Sequence, residues 1–387
     1  MKTQGKDLDV VFLSGVRTPF GTFGGTLKDF SAIDLAVVAS KGAVERAGLQ
    51  PGDIDHVVFG NALQTSADAI YFARHIALKA GLPIETPALT VNRICGSGFE
   101  AITQGAQQIL LGESNIVLAG GGESMSQAPH VVRGARWGLR LGTPTPLEDL
   151  LWESLKDPQC GFTMAETAEN LADKYQLTRQ EVDAFAERSQ RLAKKGWDEG
   201  FYADEIVPVM VKDPKTRQMV PFATDEHMKP NTTLEGLAKL QPYFRKDGFV
   251  TAGNASGIVD GAAAVVVASD AIAKAKGLKP LGRLVAWAVV GVEPKFMGIG
   301  PAPAIRKVLA RAGMTLDQVD LFDVNEAFAP QAVAVEKDLG VPREKFNVHG
   351  GAIAIGHPLA ASGTRITLHL LHALRRSGLR WGVGSAC

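Results

Sequence analysis

The run Ile94-Cys95-Gly96-Ser97-Gly98 puts a thiol where a short apolar stretch, Ala88 to Val91, meets a segment of helical character. A sulfur at the first turn of a helix lies among unpaired backbone N–H groups and the positive end of the helix dipole. Both favour the thiolate, the nucleophilic form. The glycines after it carry no Cβ, so a bulky carbonyl can approach. Read alone, the same cysteine is equally a small hydrophobe packed in a core. Three other residues carry chemistry. His357 stands in a glycine-rich turn, Gly350-Gly351-Ala352-Ile353-Ala354-Ile355-Gly356-His357-Pro358, where Gly356 and Pro358 fix the backbone around an imidazole able to take a thiol proton. A lone loop histidine is otherwise structural. Asn325 follows a strand predicted at Asp320 to Val324 and opens a helix expected from Glu326, where it serves either as a helix N-cap or as a side chain holding a water or an oxyanion. Cys387 follows Val383-Gly384-Ser385-Ala386, and from composition alone it is incidental.

The elements that must position these residues come in two copies. Ala47-Gly48-Leu49 followed by Ile54 to Ala62 reads like Ala312-Gly313-Met314 followed by Val319 to Ala327, an offset of 265 residues (312 − 47). The same offset carries Ser97-Gly98 onto Ser362-Gly363 (362 − 97 = 265) and the end of Ile116 to Gly120 onto Trp381 to Ser385. In the first copy the pattern predicts strands at Val10 to Ser14, Val57 to Gly60, Leu89 to Val91 and Val117 to Gly120. Helices are predicted from Ser31, with a capping box, to Gly48, from Ala67 to Ala80 and from Gly98 to Leu111. Short β-branched strands between helices argue for sheets buried on both faces. The expected fold is α/β, two duplicated units in a layered α/β/α/β/α architecture. The first half covers 1–122 plus 256–270, with a strand at Ala262 to Ala268. The second covers 271–387. An inserted loop domain, 123–255, carries Arg133, Arg136 and Arg140, a helix from about 165 and another capped at Thr178, and is expected to act as a lid or binding loop. The repeat calls for a matching strand after Cys387, so the sequence reads as a fragment or truncated form.

Composition narrows the classes. The 387 residues are 45% hydrophobic and 21% charged with zero net charge, an ordinary globular balance that argues against nucleic acid as a partner. No apolar run is long enough to span a bilayer. Three cysteines with no metal-type spacing give neither a disulfide framework nor a metal site, and His369-Leu-Leu-His372 lacks the glutamate of a zinc helix. Met1 to Asp9 shows neither signal-peptide nor transit-peptide character, which reads as cytoplasmic.

Several motifs together resemble the thiolase family: Val91-Asn-Arg-Ile-Cys95-Gly-Ser-Gly98, Gly120 to Pro129, Thr251 to Gly257, Val324-Asn325-Glu-Ala-Phe-Ala-Pro330, Gly350 to Pro358 and Gly384-Ser-Ala-Cys387. The likeness runs through the chain in order and leans to the degradative 3-ketoacyl-CoA type. It implies a ping-pong acyl transfer on 3-ketoacyl-CoA, acetyl-CoA and CoA, with coenzyme A as co-substrate and no permanently bound cofactor. Cys95 is the implied nucleophile, His357 its base, Cys387 the second acid/base and Asn325 part of an enolate site. Ser256, Lys229 and Thr232 fall where relatives contact CoA, and a homodimer or homotetramer is implied. An acetoacetyl-CoA-specific acetyltransferase and a truncated, catalytically weak acyl-CoA-binding paralogue stand as alternatives. A decarboxylating condensing enzyme is disfavoured by the second cysteine. Two departures stand out. His349 replaces the usual asparagine, as packing or as a change in proton network, and the family continues past Cys387 with a strand that carries an oxyanion donor.

Overall fold

The computed structural model describes residues 9–387; the first eight, on which the reading of the N-terminus rests, lie outside the described residues. The first half holds β1 (Val10–Arg17), α1 (Ala32–Arg46), β2 (His56–Gly60), α2 (Phe72–Ala80), β3 (Ala88–Val91), α3 (Ser97–Leu111) and β4 (Ile116–Glu123), and, after the insertion, β5 (Val259–Ser269). Ser31 caps α1: its hydroxyl accepts from the Asp34 N–H at 3.1 Å and donates to the Asp34 carboxylate at 2.8 Å. The expected helix from Ala67 begins later, at Phe72, after a 3₁₀ turn over Ala69–Tyr71. The strand expected to end at Gly120 runs on to Glu123 because β5 pairs with it through Gly261↔Glu123.

The sheet runs Gly282–Arg283, β1, β5, β4, β2, β3, antiparallel around β5 and parallel from β4 to β3. Successive residues face opposite sides. Val57, Phe59 and Leu118 pack against α1 and α2, whereas Val58, Val117 and Ala119 pack against α3. The second half repeats the plan with α6 (Pro301–Ala312), β6 (Leu321–Val324), α7 (Ala329–Leu339), α8 (Ser362–Ser377) and β7 (Gly382–Ser385), numbered after α4 and α5 of the insertion. Helix α8 shares the layer between the sheets with α3. Leu321 faces it, while Phe322 and Val324 turn to α6 and α7. This is the layered α/β/α/β/α order.

The pairing register carries the repeat. His56 opposes Val117 and Leu321 opposes Gly382, both shifted by 265 (321 − 56 and 382 − 117). Among the described residues the second sheet consists of β6 and β7. An apolar cleft of about 1020 Å³ lies between Leu284–Val290 and Gly382–Cys387.

Much of the insertion packs into the cores of the two halves. Its helices α4 (Met164–Lys174) and α5 (Arg179–Asp198) are amphipathic and bury Ala172, Val182, Phe185 and Ala186 in the core built on α6 and α7. The Val209–Lys212/Met219–Phe222 hairpin packs Val209 and Val211 on the first half instead. Among the described residues no helix is long and apolar enough to cross a membrane.

Candidate active site

Strand β3 ends at Val91, and the chain turns through a 3₁₀ segment, Ile94–Gly96, into α3. Ile94 takes φ +45°, a left-handed conformation that a β-branched residue rarely adopts. Such strain persists where the surroundings over-determine it, and here it turns the next residue, Cys95, inward. The thiol lies at 7% exposure among Leu63, Met125, Leu151 and Leu359. His357 comes from the second half, just before α8. Its backbone N–H donates to Gly257 O at 2.9 Å. Its Nε2 lies 3.0 Å from Cys95 Sγ and 3.2 Å from Asn325 Nδ2, and its Nδ1 lies 2.6 Å from Ser362 Oγ. The Ser362 hydroxyl donates to Pro358 O at 3.2 Å, so it accepts from Nδ1–H. The lone pair of the ring is thereby left on Nε2, facing two donors, the Cys95 thiol and the Asn325 amide.

Electrostatics agree with a neutral pair. Burial pushes the Cys95 thiol well up, with Cys387 and Glu123 adding to the rise. Burial therefore acts against the thiolate that the helix end favours. Burial, followed by the Arg365 charge, lowers His357 to about 3. The Cys387 thiol is raised by burial to about 11. Cys387 follows β7, and its neighbour Ala386 packs on the cluster around Cys95. Asn325 is fully buried at the end of β6; its backbone N–H bonds Ser385 O at 2.9 Å, and its Oδ1 has no partner among the described residues. A buried carbonyl oxygen without a donor beside the reacting pair suits a bound water.

The remaining candidates fall further out. Ser256 adjoins Gly257, which holds the His357 N–H, and its own N–H bonds Ala327 O at 3.0 Å. Lys229 and Thr232 share a surface turn. Lys229 N–H donates to Gln190 Oε1 at 2.8 Å, and Thr232 Oγ1 donates to Lys229 O at 2.8 Å. Among the described residues no hydrogen bond joins either to Cys95, His357 or Asn325. His349 turns out to be both packed and bonded. Its ring stacks on Phe201 at 4.0 Å and its Nδ1 meets His369 Nε2 at 3.1 Å, in a network that runs through Glu205 to Arg17. Ser362 was missed from sequence, although the 265-residue offset had already paired it with Ser97. Glu123 was missed as well, and the signal was its place directly after Gly120-Gly121-Gly122.

A buried thiol on an unprotonated imidazole, with an amide on the same nitrogen, is a nucleophile set beside its general base, the arrangement of covalent catalysis. The chain belongs to the thiolase family: the family model for the thiolase N-terminal domain matches residues 10–271 and that for the C-terminal domain residues 278–387. It is 52% identical to 3-ketoacyl-CoA thiolase, mitochondrial, of Homo sapiens over 98% of this chain and 95% of that protein. It is 46% identical to acetyl-CoA acetyltransferase of Syntrophomonas wolfei over 98% and 96%. The crystal structure of the human mitochondrial enzyme in complex with CoA superposes with a TM-score of 0.95 at 52% identity, over 98% of this chain and 94% of that one. The protein is thus an acyltransferase of the thiolase type. The cytoplasmic expectation is corrected by the same findings: the human relative is a mitochondrial enzyme, and relatives from bacteria stand beside it. A missing presequence pattern therefore says nothing about the compartment.

Proposed function

We propose that the protein cleaves 3-ketoacyl-CoA thiolytically to acetyl-CoA and a shortened acyl-CoA, in the degradative direction of fatty-acid β-oxidation. The observation that carries this reading is the 3.0 Å contact of Cys95 Sγ with a His357 Nε2 that holds a lone pair. His357 takes the thiol proton as Cys95 attacks the 3-keto carbon. The Cα–Cβ bond breaks, leaving the acyl group on Cys95 and an acetyl-CoA enolate. His357 Nε2–H and a water on Asn325 hold the enolate oxygen, and Cys387 protonates its carbon. Cys387 then takes the proton of an incoming CoA thiol, which takes the acyl group from Cys95, and His357 returns its proton to the departing Cys95 thiolate. A neutral resting pair suits this sequence, because the proton moves only as the sulfur attacks.

Ser256 lies beside the His357 anchor, in line with a contact to the pantetheine arm, and Lys229 and Thr232 form an outer CoA contact. Leu63, Met125, Leu151 and Leu359 around the thiol supply an apolar wall for the acyl chain. We further propose a division into two halves, 1–122 with 256–270 and 271–387, joined by 123–255, and a homo-oligomer. Strand β3 is the last in its sheet, and its Leu89 together with Ile84 and Ile94 on either side is exposed. Open apolar edges of this kind are normally covered. Thiolysis rates across a series of 3-ketoacyl-CoA chain lengths test the proposal. Turnover beyond the four-carbon substrate is expected, and activity confined to acetoacetyl-CoA would favour the acetyltransferase named among the relatives.

A further inference from the structure

We infer that Glu123 is a positioning residue: its buried carboxylate ties the nucleophile's half of the site to the histidine's half. This rests on the acyl-transfer reading above. Glu123 ends β4, directly after three glycines, and is completely buried. Oε1 accepts from Asn61 Nδ2 at 2.7 Å, Ala62 N–H at 3.2 Å and Leu63 N–H at 3.1 Å. Oε2 accepts from Ala62 N–H at 3.1 Å and Ala360 N–H at 3.1 Å. Asn61 to Leu63 follow β2 and carry Leu63 into the wall around Cys95. Ala360 lies in the 3₁₀ turn between His357 and α8, so one side chain holds both halves of the pocket.

Ala360 is also the position 265 residues after Cys95 (360 − 95). Glu123 thus grips in the second half the point that the nucleophile occupies in the first. Close approach is what the glycines permit: a Cβ on Gly121 would come within 1.9 Å of Ala360 O. Burial pushes the carboxyl up, to about 8, while the three amides pull it down. The five contacts to its oxygens all come from N–H donors, which favours the anion. The α8 N-terminus favours the anion as well. We therefore hold to the ionised form. That charge is one of the influences keeping the Cys95 proton in place. The titratable groups bearing on Cys95 are His357, Cys387 and Glu123.

The test is E123Q, read in two ways. The pH profile of Cys95 alkylation by iodoacetamide should shift to lower pH, because an anion beside the thiol is gone. Acylation of Cys95 should slow by roughly 10–100-fold, as for the loss of a group that orients a reacting residue, with the KM for CoA little changed. An unshifted alkylation profile with only lowered thermal stability would reduce Glu123 to packing and overturn the inference. Alkylation needs no substrate, so this arm stands even if thiolysis is not the activity. If E123Q does not fold, hydrogen exchange of the wild type decides. Slow exchange at Ala62, Leu63 and Ala360 with a common pH midpoint is expected, and independent exchange at Ala360 would contradict the tie.

Discussion

The two halves of this molecule start from one plan and end with different chemistry. In each, a 3₁₀ turn leads into a helix of the shared middle layer, and a Ser-Gly pair opens that helix: Ser97-Gly98 in α3, Ser362-Gly363 in α8. The helices meet at these glycines. A Cβ on Gly98 would lie 2.5 Å from Thr364 N and one on Gly363 would lie 2.4 Å from Phe99 N, reciprocal contacts related by the 265-residue shift. The serines have diverged. Ser97 stays in its own turn, accepting from Arg93 N–H and donating to Ile94 O, whereas Ser362 fixes the tautomer of His357. Cys95 corresponds to Ala360 and His357 to Asn92, so neither half carries the other's nucleophile or base at the equivalent position. Duplication provides a symmetric scaffold, and function comes from the asymmetry laid on it.

That comparison can be broken by substitution. The largest effect is expected at the base: H357N, which restores the first half's residue type, should lower thiolysis by about 10²–10⁴-fold with the fold intact by circular dichroism. Next is Arg365, whose guanidinium meets Asp323 at 2.9 Å inside the second half. R365M leaves a buried carboxylate unpaired and should cost about 3–5 kcal/mol in denaturant unfolding. N325A removes the anchor of the water at the developing oxyanion and should lower kcat by about 10²–10³-fold, with a smaller change in KM. The reciprocal glycines should behave alike. G98A and G363A each force backbone apart and should destabilise by about 1–3 kcal/mol, and a cost at only one of them would break the pseudo-symmetry. The smallest effect is at Glu100, the first half's counterpart of Arg365. Its partner Arg93 is half exposed at 2.9 Å, and E100Q should shift stability by about 0–1 kcal/mol.

Much of this was legible in the chain. The offset through Gly48, Ser97 and Gly120 gave the duplicated units because turn glycines and cap residues leave local marks. The motif runs around Cys95, Asn325 and His357 marked three members of the site. Less visible was whatever depends on contacts between distant segments. The protonation of Cys95 follows from apolar side chains at Leu63, Met125, Leu151 and Leu359, and no local dipole argument counts them. Helices α4 and α5 looked like parts of a lid because their partners, on α6 and α7, lie more than a hundred residues away. Glu123 was hidden since a carboxylate held by backbone amides has no partner that residue types reveal. Lys229 and Thr232 drew their assignment from resemblance alone, and they stand on a surface turn.

The central claim, that the first half's sulfur is acylated with the second half's imidazole as base, is tested most directly by mass spectrometry after mixing with acetoacetyl-CoA and quenching in acid. An acetyl group on the Cys95 peptide is predicted, lost on adding CoA and absent in H357N. Acetylation confined to Cys387, or none on Cys95 in a protein that turns over substrate, would contradict the account.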